Sequence, residues 1–184
     1  MPRSSSILFQ ELMRLFRFAM ASMVCGLAVM LVACASSGSS DSNPPVKPRQ
    51  LDLSVVAEKS VNPDEQGRAA PIVVRVYELK TDGSFKSADF FSLQGKDKTL
   101  LADDLNRRDE FLLRPGETRT LRRKADPGTT VIGILAAYRD LPHAVWRATY
   151  RLPPAVAPGW FSSGAKVKLN IDLGPDGVEL TERK

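Results

Sequence analysis

Apolar positions along this chain fall into three regimes: one long run near the N-terminus, a stretch with almost none, and then short segments in which apolar and polar residues alternate. The long run, residues 18–33, is broken only by Ser22 and Gly26 and follows Arg14 and Arg17. It is slightly shorter than the roughly 20 residues that span a bilayer, and no basic stop-transfer cluster comes after it. Basic residues, an apolar segment and then small residues make the layout of a secretory signal peptide.

Beyond residue 50 the period changes. Leu51, Leu53 and Val55 alternate with polar residues, which predicts a half-buried strand. Residues 72–79, Ile-Val-Val-Arg-Val-Tyr-Glu-Leu, are β-branched and aromatic and predict a central strand, with Asp82-Gly83 as a turn after it. Further strands are expected over 110–113, 119–123, 130–138, 145–152, 167–173 and 178–180. Between them lie Arg114-Pro-Gly-Glu, Asp126-Pro-Gly-Thr, Leu141-Pro-His and Gly174-Pro-Asp-Gly, all of turn composition. Every proline after residue 50 falls between these segments. That is what a sheet requires, because proline cannot donate to a ladder.

About eight short strands with regular turn signals predict an all-β, two-layer sandwich. The exception is residues 87–108. Here Ser87 is placed to cap a short helix over 88–93, and Asp97 a second helix carrying Leu100, Leu101, Asp104 and Leu105. This helical insertion would lay Phe90, Phe91, Leu93, Leu101 and Leu105 over one end of the sandwich.

The expected organisation is therefore a removed signal peptide (1–33), a tether (34–50) and a β-sandwich domain (51–184). The tether is rich in Ser, Gly and Pro, and as a flexible linker it would reach roughly 20–25 Å. After residue 33 the chain keeps 23 basic and 20 acidic residues, an excess of about +3 that is spread out apart from Arg119, Arg122, Arg123 and Lys124. Nucleic-acid binding is not expected from so small an excess. Cys25 would leave with the signal, which leaves Cys34 as the one remaining cysteine and excludes a disulfide framework.

Candidate chemistry is sparse. His143 is the only histidine and lies in a turn, where a solvated side chain is the ordinary state. No Gly-x-Ser-x-Gly elbow, second zinc-type ligand or phosphate-cradling loop accompanies it. Asp103-Asp104 and Asp109-Glu110 flank Arg107-Arg108 and read as surface ion pairs of small worth. Trp146 is expected on a sheet face. Trp160-Phe161, in a loop, fits either capping of the core or contact with a partner. No catalytic residue, metal ligand, cofactor or small-molecule substrate is expected.

The signal ends Leu31-Val32-Ala33-Cys34 and resembles a bacterial lipoprotein signal. The resemblance implies cleavage before Cys34, lipidation of that cysteine with three acyl chains, and firm membrane attachment, since each buried CH₂ contributes about 0.8 kcal/mol. Ala35 and Ser36 stand where an inner-membrane retention Asp would be, which points to the periplasmic face of the outer membrane.

Four segments in order strengthen a more specific resemblance. They are Ser60-Val-Asn-Pro-Asp-Glu-Gln-Gly-Arg68 running into 69–79, Arg108-Asp-Glu-Phe-Leu-Leu-Arg-Pro-Gly-Glu117, Gly133-Ile-Leu-Ala-Ala-Tyr-Arg-Asp140, and Trp146-Arg147. Behind a lipoprotein signal, these resemble the type VI secretion lipoprotein family, TssJ, over residues 51–180. The resemblance implies a transthyretin-like two-sheet sandwich and a non-enzymatic anchor in the outer membrane. It also implies binding to the periplasmic C-terminal region of TssM, itself partnered by TssL. The family's contact loop maps onto Asn62, Pro63, Asp64, Glu65, Gln66, Gly67, Arg68, Ala69 and Ala70. Ala69-Ala70 departs from the Ser expected before Pro71. Rival readings are a pilotin-like chaperone of a secretin, a hydroxyisourate hydrolase on the same scaffold, and a periplasmic substrate-binding domain.

Overall fold

The computed structural model describes residues 48–126, 128–154 and 165–183. Eight strands form two four-stranded sheets. The strands are β1 (Gln50–Ala57), β2 (Ile72–Leu79), β3 (Leu105–Leu113), β4 (Thr118–Lys124), β5 (Val131–Ala136), β6 (Arg147–Arg151), β7 (Lys166–Leu173) and β8 (Val178–Glu182). The first sheet has the order β4-β1-β7-β8 and the second β3-β2-β5-β6. Only the β1–β7 pair is parallel among these ladders; the others are antiparallel.

The period-2 pattern explains the first sheet directly. Leu51, Leu53 and Val55 on β1, with Val167, Leu169 and Ile171 on β7, turn inward and meet Ile72, Val74, Val76, Ile132 and Ile134 of the second sheet. In β2 the apolar character is nearly continuous because its second half is buried on both faces. Tyr77 and Leu79 face a second core cluster made with Phe85, Phe90, Leu93 and Leu101. Both clusters fall within Pro44–Lys184, which forms one compact unit.

The helical insertion differs from expectation in three ways. Asp82-Gly83 opens a short helix, α1 (Gly83–Ser87), rather than a turn alone. The following helix, α2 (Phe90–Leu101), is capped by Asp89, whose carboxylate accepts the Ser92 amide, and not by Ser87. Asp97 does stand at the start of a second helical segment, where its Oδ1 accepts the Lys98 amide at 2.8 Å, but its carboxylate is not reserved for the helix. It sits just past a kink at Lys96 and turns inward, accepting hydrogen bonds from Arg108 Nη1 at 2.8 Å, Tyr77 Oη at 3.0 Å and Arg75 Nη1 at 3.2 Å. Burial works to raise its pKa, but those bonds and the two guanidinium charges outweigh it and hold the carboxyl below the usual range.

The insertion covers the outer face of the second sheet rather than one end of the sandwich. Leu105 belongs to β3, and Phe91 stays 70 % exposed. Helical periodicity alone could not distinguish these placements, because both leave one apolar stripe covered.

The acidic pairs flanking Arg107-Arg108 do more than decorate the surface. Between β2 and the edge strands β3 and β4, Glu78 is fully buried and accepts Arg123 Nε at 2.6 Å and the Asp126 amide at 2.8 Å. Arg123 Nη2 also lies 2.5 Å from Asp109. This ion network closes the open edge of the sandwich between β3 and β4 at one pole, while Arg119 stacks over Phe111 towards the other.

Trp146 precedes β6, half-buried, and packs edge-on against Phe90 at 5.4 Å. Trp160 and Phe161 lie outside the described residues, as do residues 1–47 with Cys34.

Candidate interaction site at the loop pole

Strand directions gather four connections at one pole: 58–71 between β1 and β2, 114–117 between β3 and β4, 137–146 between β5 and β6, and 174–177 between β7 and β8. Backbone hydrogen bonds tie them together. The Gly116 amide donates to Ala57, the Val145 amide to Asp176, and the Val178 amide to Val145. The chain enters β1 at the opposite pole, where Gln50 lies beside Lys124 and Lys166. Eight residues of β1 separate the two poles, roughly 25 Å at the usual strand rise.

The 62–70 loop is held at its base and free at its tip. Asn62, only 3 % exposed, takes a left-handed φ of 50° that Asn tolerates better than most residues. Its side chain works in both directions. Nδ2 donates to the Pro71 carbonyl at 3.0 Å, closing the loop on itself, and Oδ1 accepts the Arg139 amide at 2.8 Å, fastening it to the β5–β6 connection. Val61 is buried and Ala70 nearly so, and they share a backbone bond across the neck.

Asp64 organises the tip. Its carboxylate accepts the amides of Gln66 and Arg68 at 3.0 and 2.9 Å, and Arg68 Nε at 2.8 Å. The Arg68 amide is the foremost reason its pKa lies below the usual carboxylate value. Gly67, at φ +74°, supplies the turn that lets its amide reach the Asp64 carbonyl. What remains for a partner is Glu65, Gln66, Gly67, Arg68 and Ala69, all exposed, with the Arg68 side chain 76 % so.

Beside the loop opens a groove of about 640 Å³. Residues 62–66 form one wall, Tyr138, Arg139, Asp140, His143 and Ala144 a second, and Pro175 with Asp176 a third. These outer walls are what sequence reasoning misses. The turn chemistry of Asp140-Leu-Pro-His and Gly174-Pro-Asp-Gly is visible, but only sheet topology brings both turns beside 62–66. A close backbone approach fixes the join: a Cβ on Gly177 would stand 2.7 Å from Cβ of Val145. Tyr138 adds a bond from Oη to the Gly174 carbonyl at 3.1 Å, and burial pushes that phenol well above its ordinary pKa.

His143, the candidate of most chemical interest, is exposed and pairs with Asp140 Oδ1 at 2.7 Å. Its surroundings offer no nucleophile. Among the described residues no group of three or more His, Cys, Asp or Glu is arranged to hold a metal ion. The site is shaped for contact: a pinned loop, a charged tip and an adjoining concavity.

No curated protein matches the chain. Among solved structures, the type VI secretion lipoprotein TssJ1 from Pseudomonas aeruginosa is 38 % identical with a TM-score of 0.66, the match covering 74 % of this chain and 98 % of that one. Serratia marcescens Lip, a membrane-bound component of the type VI secretion system, is 32 % identical with a TM-score of 0.67, covering 74 % and 99 %. A chain in a structure of the TssM C-terminal domain (869–1107) from EAEC is 25 % identical with a TM-score of 0.57, covering 71 % and 99 %. The family model for "Type VI secretion lipoprotein, VasD, EvfM, TssJ" matches residues 49–176. With the two-sheet fold, the helical layer and this match across most of its length, the chain belongs to the TssJ family of type VI secretion lipoproteins, which are structural, membrane-bound components and not enzymes.

Proposed function

We propose that this lipoprotein is the outer-membrane anchor of the type VI secretion membrane complex. Lipidated at Cys34, it would be held on the periplasmic face of the outer membrane. With the 62–70 loop it would bind the periplasmic C-terminal region of TssM, and through TssM connect to TssL.

The observation that carries the reading is the pole-to-pole layout. The chain arrives from its N-terminal segment at one end of a rigid sandwich and offers the pinned loop at the other. A domain built this way transmits a mechanical connection across its own length without chemistry. The EAEC structure supports TssM as the partner. Its matched chain is covered to 99 % by only 71 % of this 184-residue chain, so it is shorter than the span 869–1107. A TssJ-like chain beside the TssM fragment accounts for that.

Two experiments test the two grips separately. Replacing residues 62–70 by a short Gly/Ser link should abolish co-purification with the TssM periplasmic region while thermal unfolding stays cooperative. Undiminished binding by such a folded variant would sink the loop assignment. Cys34→Ser should move the protein from the outer-membrane fraction to the soluble periplasm and stop secretion; secretion by the soluble form would rule out anchoring.

A further inference from the structure

The outer face of the first sheet is electrically lopsided. On its half nearest the chain's arrival, the outward positions are Gln50 and Asp52 on β1, Arg122 and Lys124 on β4, Lys166 and Lys168 on β7, and Thr181 and Arg183 at β8. Among the described residues, five cations thus share this half-face with one carboxylate. Asp52 meets Arg122 at 3.4 Å, Arg183 at 3.5 Å and Lys166 at 3.6 Å, so a single negative charge is shared by three positive ones. Their side chains are 76 %, 42 % and 56 % exposed. On the loop-pole half of the same face the outward charges are Asp172 and Glu179, both negative. Four strands about 4.8 Å apart make the basic zone roughly 14 Å wide.

We propose that this basic face docks on an anionic phospholipid surface, that of the membrane holding the chain's N-terminus. The proposal deepens the anchoring reading and rests on lipidation at Cys34. Only fifteen residues separate Cys34 from Gln50, so even a fully extended chain keeps the face within about 55 Å of the bilayer. Such tethering makes a weak surface contact intramolecular and raises its effective concentration. With a screening length near 8 Å at physiological salt, the basic zone feels the lipid charge only when close, and the acidic groove at the far pole is essentially screened from it. Docking therefore lays the arrival-pole half of this sheet face against the membrane and keeps the acidic loop-pole half, with Asp172 and Glu179, off it, an orientation that a tether alone does not set.

The test uses residues 44–184 without lipid, since that unit holds the whole described core. Flotation with phosphatidylethanolamine vesicles containing about a third phosphatidylglycerol is compared with pure phosphatidylcholine, at low salt and at about 0.5 M salt. We expect binding to the anionic vesicles only, lost at high salt. At about fivefold per charge, removing two cations in R122E/K166E should weaken binding at least 25-fold, and Asp52→Asn should strengthen it about fivefold. Thermal unfolding checks that each variant is folded. Equal flotation with both lipids, no flotation of the wild-type unit even at low salt, or unchanged binding by folded R122E/K166E would overturn the proposal. Failure of the lipidation reading registers separately, as an unlabelled Cys34 in cells fed labelled palmitate, and failure of the loop reading as retained TssM binding by loop variants.

Discussion

Asn62 concentrates the reasoning about the loop pole in one side chain, and a short substitution series isolates its parts. In Asn62→Ala the Arg139 amide and the Pro71 carbonyl both lose their partner, at about 1–3 kcal/mol each where water cannot replace it. Holding Ala at the left-handed φ of 50° adds about 1–2 kcal/mol. The adjoining groove admits water to part of this region, so the lower end applies, about 3 kcal/mol in all. For a domain of this size that is a fall in Tm of roughly 6–12 °C. Asn62→Gly breaks the same two bonds without the backbone cost and should be more stable than the alanine variant by about 1 kcal/mol. Asn62→Asp keeps an acceptor for Arg139 but turns a carboxylate oxygen towards the Pro71 carbonyl, and should fall below wild type. Urea unfolding gives the three stabilities, and hydrogen exchange at the Arg139 amide reports the local bond. If both variants match wild type, then Asn62 does not pin the loop and a preformed contact element is ruled out; equal stabilities for alanine and glycine, both below wild type, would remove only the backbone contribution.

Other perturbations probe the frame that carries the site. Glu78→Ala leaves Arg123 half-buried without its 2.6 Å partner and should cost about 3–5 kcal/mol in urea unfolding, whereas a loss under 1 kcal/mol would mean the network is solvated. Gly177→Ala forces a Cβ to 2.7 Å from Cβ of Val145 and should cost about 1–3 kcal/mol, which Val145→Gly should partly recover and Val145→Ala should not, since alanine keeps the clashing Cβ; a Gly177→Ala/Val145→Gly double variant no better than the single would place the strain elsewhere. Asp97 titrates lower in the folded state than in the unfolded one, so its contribution is complete above the unfolded value near 3.8 and disappears as pH falls through the folded value. Tm of wild type should therefore drop more steeply than that of Asp97→Asn below about pH 4, and parallel curves would exclude Asp97 as a source of the acid limb.

The strands are legible in this chain because most of them bury one face, and a period of two registers that without further knowledge. Leu51, Leu53 and Val55 are the plainest case. The helical layer is less so. Ser87 and Asp89 are equally good capping residues by type, and Asp97 carries the chemistry of a cap while serving as the acceptor for Arg75, Tyr77 and Arg108. Which role it takes depends on arginines more than ten residues away along the chain, beyond the reach of local pattern. β3 begins five residues earlier than its apolar residues announce, because Leu105–Asp109 is amphipathic towards an ion network rather than towards hydrocarbon. The 62–70 loop is legible through Asn-Pro-Asp and Gly67, whose backbone demands are local. The groove walls at Arg139, Asp140, His143 and Asp176 are not, since only the antiparallel pairing of β5 with β2 and of β8 with β7 brings them to that pole. The basic face hides for the same reason: its cations come from β4, β7 and β8, and are dispersed in sequence.

The central claim is that one pole of the sandwich grips TssM. It is tested most directly by titrating the TssM periplasmic C-terminal region into the folded 44–184 unit and into its Glu65→Arg variant, which reverses an exposed charge at the loop tip while leaving Asn62, Asp64 and Arg68 in place. Saturable binding by the wild-type unit and a loss of at least tenfold in affinity for the variant, at unchanged thermal stability, are expected. Equal affinities for the two would contradict it.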